Sequence, residues 1–466
     1  MKTVKHTAFL LLLSILLACP PADAQQADVF SRLEQAVSAE LKARAIPGVA
    51  VAVVHGDRIV FQKGFGVADF ETKEPVTPDT LFKIASATKM FTSAALVTLS
   101  EEGKIDLNAP ASRYLSGLSP KLSQITPHQL LSHTAGLKHG WLPGSTFSPT
   151  APLRDVGRGL TDRYTFVEPG RVFSYSNPGF ALAGALIEAA SGKPYADYMA
   201  ESLFRRLGMS RTTFDPNTAM KYPFSHGLHS DGGAEPQIVR RYPPTPAHLQ
   251  PAFGIISNVQ ELARFANAFV NAGRLDGKQV FSASLIKKLS TAYAAFNLGE
   301  GGYGYGLRVY EHRGVRVVEH GGQGPGFGSL IYMVPERHFA VVILANRTAS
   351  GRLYKVVDAA MDIVLRLRPG PAELTPRSLS MTPEEMSEYA GIYANNTAVE
   401  LAVRDGKLFY KENDSELPVT KVGEHSFNAG TQGASGAVFF VLVPGANGKT
   451  EFLYKRDMAA YRKATR

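Results

Sequence analysis

The chain has 466 residues, too many for a single ordinary hydrophobic core, and this length predicts about two or three domains. Hydrophobic residues make up 44% of the chain and charged residues 20%, which excludes a largely disordered protein. The net charge is +9, but the lysines and arginines are scattered rather than gathered in runs. The composition therefore predicts no nucleic-acid partner.

The first 24 residues have the pattern of an export signal. Lys2 and Lys5 supply a positive start, residues 9–17 form an apolar stretch, and residues 22–24 read Ala-Asp-Ala, a small-x-small cleavage site. The apolar stretch is short for a membrane span, which needs about 20 residues. The pattern therefore predicts a periplasmic or secreted protein.

The only cysteine, Cys19, lies inside this signal. Cleavage after Ala24 would leave a mature chain without a thiol, so we expect neither disulfides nor cysteine-ligated metals. Residues 16–19 read Leu-Leu-Ala-Cys and also resemble a bacterial lipobox. Lipidation at Cys19 would tether the protein to a membrane, and this alternative stays open beside the soluble export signal.

The middle of the chain predicts a mixed α/β unit, because apolar residues recur at helical spacing in some segments and alternate in others. The predicted elements, in chain order, are a helix over 28–45, a β-hairpin over 49–67, a helix over 88–102, helices and loops over 109–215, a helix over 257–273, strands over 306–311, 315–319, 328–334 and 339–345, and a helix over 354–367. Strands at both ends indicate one sheet that joins the two ends of this unit. The proline-rich segment over 216–250 is typical of a surface cover or a lid that faces the substrate.

The C-terminal part changes character. Residues 368–383 have the proline-rich composition of a linker. Residues 384–466 contain short strand-like runs separated by turn signals such as Asp405-Gly406, which predict a small antiparallel β-barrel or sandwich. The predicted organisation is an export signal over 1–24, a hydrolase domain over 25–367, a linker over 368–383 and a β-domain over 384–466.

The segment around Ser86 carries the first chemical signal. Ser86 and Lys89 are three residues apart, so a helix that begins at Ser86 places both side chains on one face. A serine hydroxyl is a weak nucleophile until a base takes its proton, and a buried lysine with a lowered pKa can be that base. Free N–H groups at the start of the helix are suited to stabilise an oxyanion. By itself, Ser-x-x-Lys is more often a capping serine followed by a surface lysine.

A second signal is the Tyr-Ser-Asn segment that contains Tyr175 and Asn177, just before a helical run. A tyrosine hydroxyl near an ammonium group can relay protons, and an asparagine side chain offers a donor and an acceptor to an amide. Alone, this pattern is more often a turn.

A third signal is the Glu-His-Gly-Gly-Gln-Gly segment over 319–324, at a predicted strand. Glycines such as Gly322 let a substrate backbone lie against the strand edge. The backbone N–H of Gln323 would face that of Ser86 across an oxyanion pocket. The plainer interpretation is a glycine-rich turn that carries an incidental histidine, His320.

In this order, Ser-x-x-Lys, Tyr-x-Asn and His-Gly-Gly resemble the serine β-lactamase and penicillin-binding-protein family, in particular its branch of class C β-lactamases, D-Ala-D-Ala carboxypeptidases, D-aminopeptidases and esterases. The resemblance covers about residues 28–367 and includes Ile-Pro-Gly over 46–48 and Leu-Leu-Ser-His-Thr-Ala-Gly-Leu over 130–137. It implies an α/β (α+β) chain with a β-lactamase/transpeptidase-like fold, in which helices and a helical subdomain flank an antiparallel sheet. Residues 384–466 faintly resemble the lipocalin-like β-barrel of some peptidases of this family, where it restricts the active site or mediates oligomers.

The resemblance implies a role for each signal. Ser86 would form the acyl-enzyme and Lys89 would take its proton. Tyr175 would protonate the leaving group and then activate the deacylating water, while Asn177 would hold an amide of the substrate. His320 stands where many relatives carry a lysine. Because a histidine is charged only conditionally near neutral pH, binding of a substrate carboxylate should weaken as pH rises, which favours peptidase or esterase activity over efficient β-lactamase activity.

Other classes fit the sequence less well. The remaining histidines lack metal-ligand spacing such as His-Glu-x-x-His, so we expect no metal and no cofactor. A Gly-x-Ser-x-Gly elbow is missing, which argues against an α/β-hydrolase. The sequence therefore predicts an exported serine hydrolase for an amide or ester bond of a small-molecule or peptide substrate, with membrane contact only through Cys19 and no predicted oligomeric state. The alternative is a non-hydrolytic penicillin-recognising binding or sensor protein.

Overall fold

The computed structural model describes residues 29–140, 148–229, 237–239, 244–295, 301–348, 353–367, 378–430, 437–455 and 460–464. The predicted export signal, Cys19 and most of the predicted linker lie outside the described residues. In the described part of the chain, no helix combines the length and apolarity that crossing a membrane requires.

An eight-stranded antiparallel sheet forms the centre of the first domain. Its strands are β1 (Gly48–His55), β2 (Arg58–Gly66), β3 (Ala294–Ala295), β4 (Gly302–Tyr303), β5 (Arg308–His312), β6 (Val315–Gly324), β7 (Phe327–Val334) and β8 (Phe339–Ala345). Their spatial order is β2-β1-β8-β7-β6-β5-β4-β3. Strand β1 pairs with β8 from Val49↔Ala345 to His55↔Phe339, so the sheet joins the two ends of the domain as predicted.

Helices cover both faces of this sheet. They are α1 (Ser31–Ala43), α2 (Thr88–Glu101), α3 (Asn177–Ser191), α4 (Val259–Val270), α5 (Ala283–Ser290) and α6 (Tyr354–Val364). Because side chains alternate along a strand, Val49, Val51 and Val53 of β1 pack on the face covered by α1 and α6. Ala50 and Ala52 face the larger core built with α2 to α5. A strand that is buried on both faces explains why β1 is an almost unbroken apolar run.

Short segments connect these elements. Helical ones are Ala85–Ala87, Ala111–Arg113, Pro120–Ser123, Pro127–Leu131, Arg154–Gly159, Asp162–Tyr164, Tyr195–Tyr198, Met199–Phe204, Arg205–Leu207, Pro216–Ala219, Ala247–Leu249, Gln250–Phe253 and Pro335–Arg337. Small two-stranded ladders pair Phe82–Lys83 with Ile256–Ser257, Gly227–His229 with Gln237–Val239, and Arg274–Leu275 with Lys278–Gln279.

The C-terminal part forms a closed eight-stranded barrel, which settles the choice between barrel and sandwich. It begins with helix α7 (Pro383–Tyr389), followed by β9 (Gly391–Ala394), β10 (Ala398–Arg404), β11 (Lys407–Glu412), β12 (Ser415–Lys421), β13 (Ser426–Ala429), β14 (Val438–Pro444), β15 (Thr450–Lys455) and β16 (Ala460–Lys463). Pairing of β9 with β16, at Tyr393↔Lys463, closes the ring. The barrel has an apolar core of its own, which includes Phe427, Phe440 and Leu453.

One boundary matters for the site. The sequence predicts that the strand at 315 ends at 319, whereas β6 continues to Gly324. The segment after Glu319 has no alternating apolar pattern, because three of its next five residues are glycine. Its backbone nevertheless stays paired with β7, as far as Gly324↔Phe327. His320 and Gln323 therefore lie on the sheet rather than in a turn.

Candidate active site

Ser86 lies in a 3₁₀ turn, Ala85–Ala87, that leads directly into α2. The helix predicted over 88–102 agrees with α2, which begins at Thr88, so Ser86 precedes the α-helix rather than beginning it. The face shared with Lys89 is kept, because residues three apart eclipse each other in a 3₁₀ turn. The Lys89 Nζ atom lies 3.4 Å from Ser86 Oγ.

Lys89 is completely buried, and polar groups from two other segments surround its amine. The Nζ atom lies 2.8 Å from Asn177 Oδ1 and 2.9 Å from the backbone carbonyl oxygen of Ala252, and both of these oxygens can only accept hydrogen bonds. A neutral amine has two N–H donors and one lone pair. With both donors used on these oxygens, the lone pair is left for the hydroxyl of Ser86.

Burial also sets the charge of this amine. Removal from water disfavours the ammonium form, and it holds the pKa of Lys89 well below its usual range. The amine also lies near two aromatic faces, 4.7 Å from the ring centroid of Tyr175 and 5.4 Å from that of Phe180. Within 4 Å of the amine no carboxylate of the described chain forms an ion pair with it. Burial without a paired carboxylate thus outweighs the attraction of the aromatic faces for a cation and favours a neutral lysine that can accept a proton from Ser86.

Tyr175 is held on both sides by histidines. The backbone N–H of Ser174 donates to the carbonyl oxygen of His133, and the N–H of Ser176 donates to its Nδ1 at 3.1 Å. On the other side, His139 Nδ1 donates to the carbonyl oxygen of Tyr175 at 2.9 Å. These bonds fix the backbone of Tyr175 before and after the residue, so that its ring lies over the amine of Lys89.

Asn177 is the first residue of α3 and is buried. Ser176 caps the helix by accepting a hydrogen bond from the N–H of Gly179 at 3.3 Å, and Pro178 favours the first turn. This cap directs Asn177 towards Lys89. Since its Oδ1 accepts from Lys89, the amide nitrogen is the part of Asn177 that remains to donate to a substrate.

His133 supports Tyr175 by packing as well as by hydrogen bonds. Its ring lies 4.3 Å from that of Tyr175 and 5.0 Å from that of Tyr303, measured between centroids. Burial holds the pKa of His133 well below its usual range. A neutral His133 whose Nδ1 accepts from Ser176 carries its proton on Nε2. These contacts give His133 a structural role beside Tyr175.

His320 is buried, and both of its ring nitrogens lie within hydrogen-bond distance of protein oxygens. Nδ1 donates to the carbonyl oxygen of Gly321 at 2.6 Å, and Nε2 lies 3.0 Å from the hydroxyl of Tyr303. Burial raises the pKa of Tyr303 well above its usual range, so this hydroxyl keeps its proton and can donate to Nε2. These two bonds suit a neutral imidazole. A substrate carboxylate would have to displace one of them to reach the ring.

The edge of β6 runs directly beside the turn of Ser86. A Cβ atom placed on Gly322 would lie 2.0 Å from the carbonyl oxygen of Ile84, and one on Gly324 would lie 3.5 Å from the Cβ of Ala85. Only glycine allows so close an approach at Gly322. Gln323 lies between these two glycines with its side chain exposed, so its backbone is next to the segment that carries Ser86. This arrangement is compatible with the oxyanion pocket that the sequence predicts.

The barrel contacts the segment of Tyr175, which sequence reasoning missed. The side-chain oxygen of Asn395, in the loop after β9, accepts from the N–H of His139 at 3.0 Å, and Asn395 Nδ2 donates to the carbonyl oxygen of Ala460 at 2.6 Å. The ring of Tyr454 lies 5.9 Å from that of Phe173. Tyr303 was missed as well. Tyr303 lies in a glycine-rich stretch and Asn395 is followed by a second asparagine, and neither sequence pattern predicts a role in a catalytic site.

The Lys89 amine, the Ser86 hydroxyl and the Tyr175 ring thus lie together, next to the backbone of β6, which is suited to stabilise an oxyanion. Acyl transfer through a serine ester requires these groups. In the described ranges, no group of three or more histidine, cysteine, aspartate or glutamate side chains is placed to hold a metal ion.

The family model for "Beta-lactamase" matches residues 33–366. The chain belongs to the β-lactamase family. A curated relative, the unguisins hydrolase ungD' of Aspergillus campestris, is 30% identical over an alignment 344 residues long, and the match covers 68% of this chain and 63% of that protein. Protein flp of Staphylococcus aureus is 25% identical over 332 residues, with the same two shares. The matches therefore span less than two thirds of the length of these relatives.

Solved structures share the fold. The crystal structure of SurE with D-Leu has a TM-score of 0.76 and 24% identity and covers 95% of this chain and 100% of its own. An octameric penicillin-binding-protein homologue from Pyrococcus abyssi has a TM-score of 0.65 and 23% identity and covers 92% of this chain and 99% of its own. The predicted family and the predicted fold are confirmed. Membership of this family, together with a hydrolase among the relatives, supports a serine hydrolase in general terms.

Proposed function

We propose that this chain is an exported serine hydrolase that cleaves an amide or ester bond through an acyl-enzyme on Ser86. The observation that carries the proposal is the environment of Lys89. Its amine is buried, uses its donors on Asn177 and Ala252, and lies 3.4 Å from the Ser86 hydroxyl. A lysine held neutral in this way has a free lone pair for the serine proton.

In the proposed first step, Ser86 Oγ bonds to the carbonyl carbon of the substrate while its proton moves to Lys89 Nζ. The N–H groups of Ser86 and Gln323 stabilise the oxyanion, and the amide nitrogen of Asn177 binds a substrate carbonyl. The bond to the leaving amine or alcohol then breaks, and Tyr175 supplies the proton that the leaving group takes.

In the proposed second step, water attacks the ester on Ser86 and gives its proton to Tyr175. The ester bond breaks and a carboxylic acid leaves, while Lys89 returns its proton to Ser86 Oγ, which regenerates the serine hydroxyl and the neutral amine. The position of His320 favours peptidase or esterase substrates over β-lactams. Its ring is buried with both nitrogens near protein oxygens, so it is poorly placed to attract the carboxylate of a β-lactam.

The test uses p-nitrophenyl acetate, D- and L-amino-acid anilides and nitrocefin with the purified mature chain, and mass spectrometry after a fluorophosphonate probe. We expect hydrolysis and one covalent adduct on Ser86, both abolished in Ser86→Ala. Ser93→Ala is the matched control, because this serine lies on α2 and its buried hydroxyl has no hydrogen-bond partner among the described residues. Full hydrolysis by Ser86→Ala would refute the proposal, and an adduct with penicillin that forms but never releases would indicate a sensor instead.

A further inference from the structure

A cavity of about 230 Å³ lies beside the turn of Ser86. Its wall is almost entirely apolar, apart from Lys83 and Thr245. The lining residues are Lys83, Ala85, Val239, Pro244, Thr245, Pro246, Phe253, Gly324, Pro325 and Phe327. They come from both edges of the site and from the predicted lid segment, 216–250.

The cavity is built from stiff parts. Pro244 and Pro246 restrict the backbone of its outer wall, and the carbonyl oxygen of Thr245 between them accepts from Gln250 Nε2 at 3.2 Å. Phe327, at the inner end, is 1% exposed and packs edge to face against Phe82 at 6.3 Å. A wall held in this way is already formed before a ligand arrives, which lowers the entropic cost of binding.

The cavity adjoins the turn of Ser86, and Tyr175 is not among its described lining residues. Ala85, the residue before Ser86, lines the cavity, and Phe253 follows the residue whose carbonyl oxygen accepts from Lys89. Among the described residues, the three histidines whose rings lie beside that of Tyr175 do not line the cavity either; these are His133, His139 and His320. A leaving group that takes its proton from Tyr175 therefore lies outside the cavity.

We infer that this cavity binds the side chain of the acyl group that stays on Ser86, and that it selects an apolar chain or ring. The inference rests on the proposed function, because it assigns the acyl and leaving sides from the role of Tyr175. It names the substrate class as esters or amides of carboxylic acids with an apolar side chain close to the carbonyl carbon.

Size and wall chemistry fit such a ligand. An apolar protein cavity of about 150 Å³ is large enough to hold benzene, so 230 Å³ accommodates a branched aliphatic group or one aromatic ring. Each methylene buried there should raise kcat/KM about fourfold, which follows from the transfer free energy of a buried CH₂.

Lys83 is the one charged side chain among the lining residues, and it suggests a competing occupant. Burial lowers its pKa to about 8, so a charge on this amine is costly where it stands. An acyl chain that ends in a carboxylate would compensate for that cost by pairing with Lys83. Because most of the wall is apolar, we expect an uncharged acyl chain to bind better than one that ends in a carboxylate. The experiment compares these two kinds of acyl chain.

The experiment measures kcat/KM for p-nitrophenyl acetate, butyrate and hexanoate and for the p-nitrophenyl hemiester of glutaric acid, so that the leaving group is constant. We expect butyrate to exceed acetate by about 15-fold and the hemiester to stay below butyrate. Val239→Trp fills the cavity and should reduce the ratio of butyrate to acetate by roughly tenfold. Ile238→Trp is the matched control, since it lies on the same short strand but does not line the cavity, and it should leave the ratio unchanged.

The outcomes separate the two proposals. Hydrolysis that depends on Ser86 but has equal kcat/KM for acetate and butyrate would overturn the cavity assignment and leave the hydrolase intact. A higher kcat/KM for the hemiester than for butyrate would also overturn the cavity assignment, because it would show that Lys83 binds a carboxylate at the end of the acyl chain. Hydrolysis that does not depend on Ser86 would refute the proposed function itself. If Val239→Trp does not fold, Val239→Ala is measured instead. It enlarges the cavity, so we expect the preferred acyl chain of the substrate to become longer.

Discussion

The two eight-stranded β structures of this chain support the candidate site in different ways. The open sheet is covered on both faces by helices; its strand β6 carries Gln323, and the 3₁₀ turn and helix α2 beside it carry Ser86 and Lys89. The closed barrel has its own core and supplies none of these groups. All hydrogen-bond contacts of the Lys89 amine come from the first domain, whereas the segment of Tyr175 contacts both domains.

This difference divides the proposed chemistry between the domains. Val441, Phe452, Tyr454 and Ala460 of the barrel belong to the same apolar cluster as Phe173 and Tyr175. Among the described residues, the barrel therefore does not contact Lys89, the residue proposed to activate Ser86. It does pack against Tyr175, the residue proposed to exchange protons with the leaving group and with water. Substitutions in the two domains should have effects of different size and kind.

The largest effect is expected for Lys89→Met, which removes the proposed base at similar length. We expect kcat/KM for p-nitrophenyl acetate to fall by about 10³-fold, because general-base catalysis is lost and the carbonyl of Ala252 and the amide of Asn177 lose their donor. Lys104→Met, at an exposed lysine, is the control for loss of a charge. Activity within tenfold of wild type, in a variant whose melting curve shows a folded chain, would contradict the role of Lys89.

An intermediate effect is expected for Asn395→Ala in the barrel. The substitution removes the acceptor for the His139 N–H and the donor to Ala460, so the carbonyl of Tyr175 is held less firmly. We expect kcat to fall by about three- to tenfold with little change in KM, because positioning rather than binding is lost.

The control for Asn395→Ala is Asn447→Ala, which removes a hydrogen bond to Lys449 in a turn of the same barrel. A loss of kcat shared equally by both variants would mean that the effect is general weakening of the barrel. Unchanged kcat in Asn395→Ala would show that Tyr175 is positioned without the barrel.

The smallest effect is expected at the rim of the domain contact, where Arg171 and Glu451 form an ion pair at 2.9 Å. The arginine side chain is 47% exposed, and such pairs contribute less than about 1 kcal/mol. Arg171→Met should therefore lower the melting temperature by only a few degrees and leave kcat unchanged. A large loss of kcat in Arg171→Met would show that the barrel positions Tyr175 through this ion pair rather than through Asn395.

Local patterns predicted much of the fold. Two strand-like runs around Gly56 located the hairpin of β1 and β2, and helical spacing of apolar residues located α4, because these signals are local in the sequence. The extension of β6 through the Gly-Gly-Gln-Gly stretch was not predictable in this way. It depends on pairing with β7, and glycines give no facial pattern.

The candidate site was predictable where its residues form a motif. Ser86 and Lys89 are close in sequence, and local helical geometry is enough to bring them together. Tertiary packing brings in the other parts of the site: the carbonyl oxygen of Ala252 beside Lys89, the ring of Tyr303 beside His320, and Asn395 beside His139. A backbone carbonyl such as that of Ala252 has no sequence signature. The burial that lowers the pKa of Lys89 follows from that packing too.

The most direct test of the account is the pH dependence of covalent labelling of Ser86 by a fluorophosphonate, followed by mass spectrometry. A lysine in water has a pKa of about 10.4, whereas burial holds that of Lys89 well below this range. The labelling rate should rise with pH as Lys89 loses its proton and should level off far below pH 10. A rate that keeps rising about tenfold per pH unit up to pH 10 would show that Lys89 stays protonated and is not the base for Ser86.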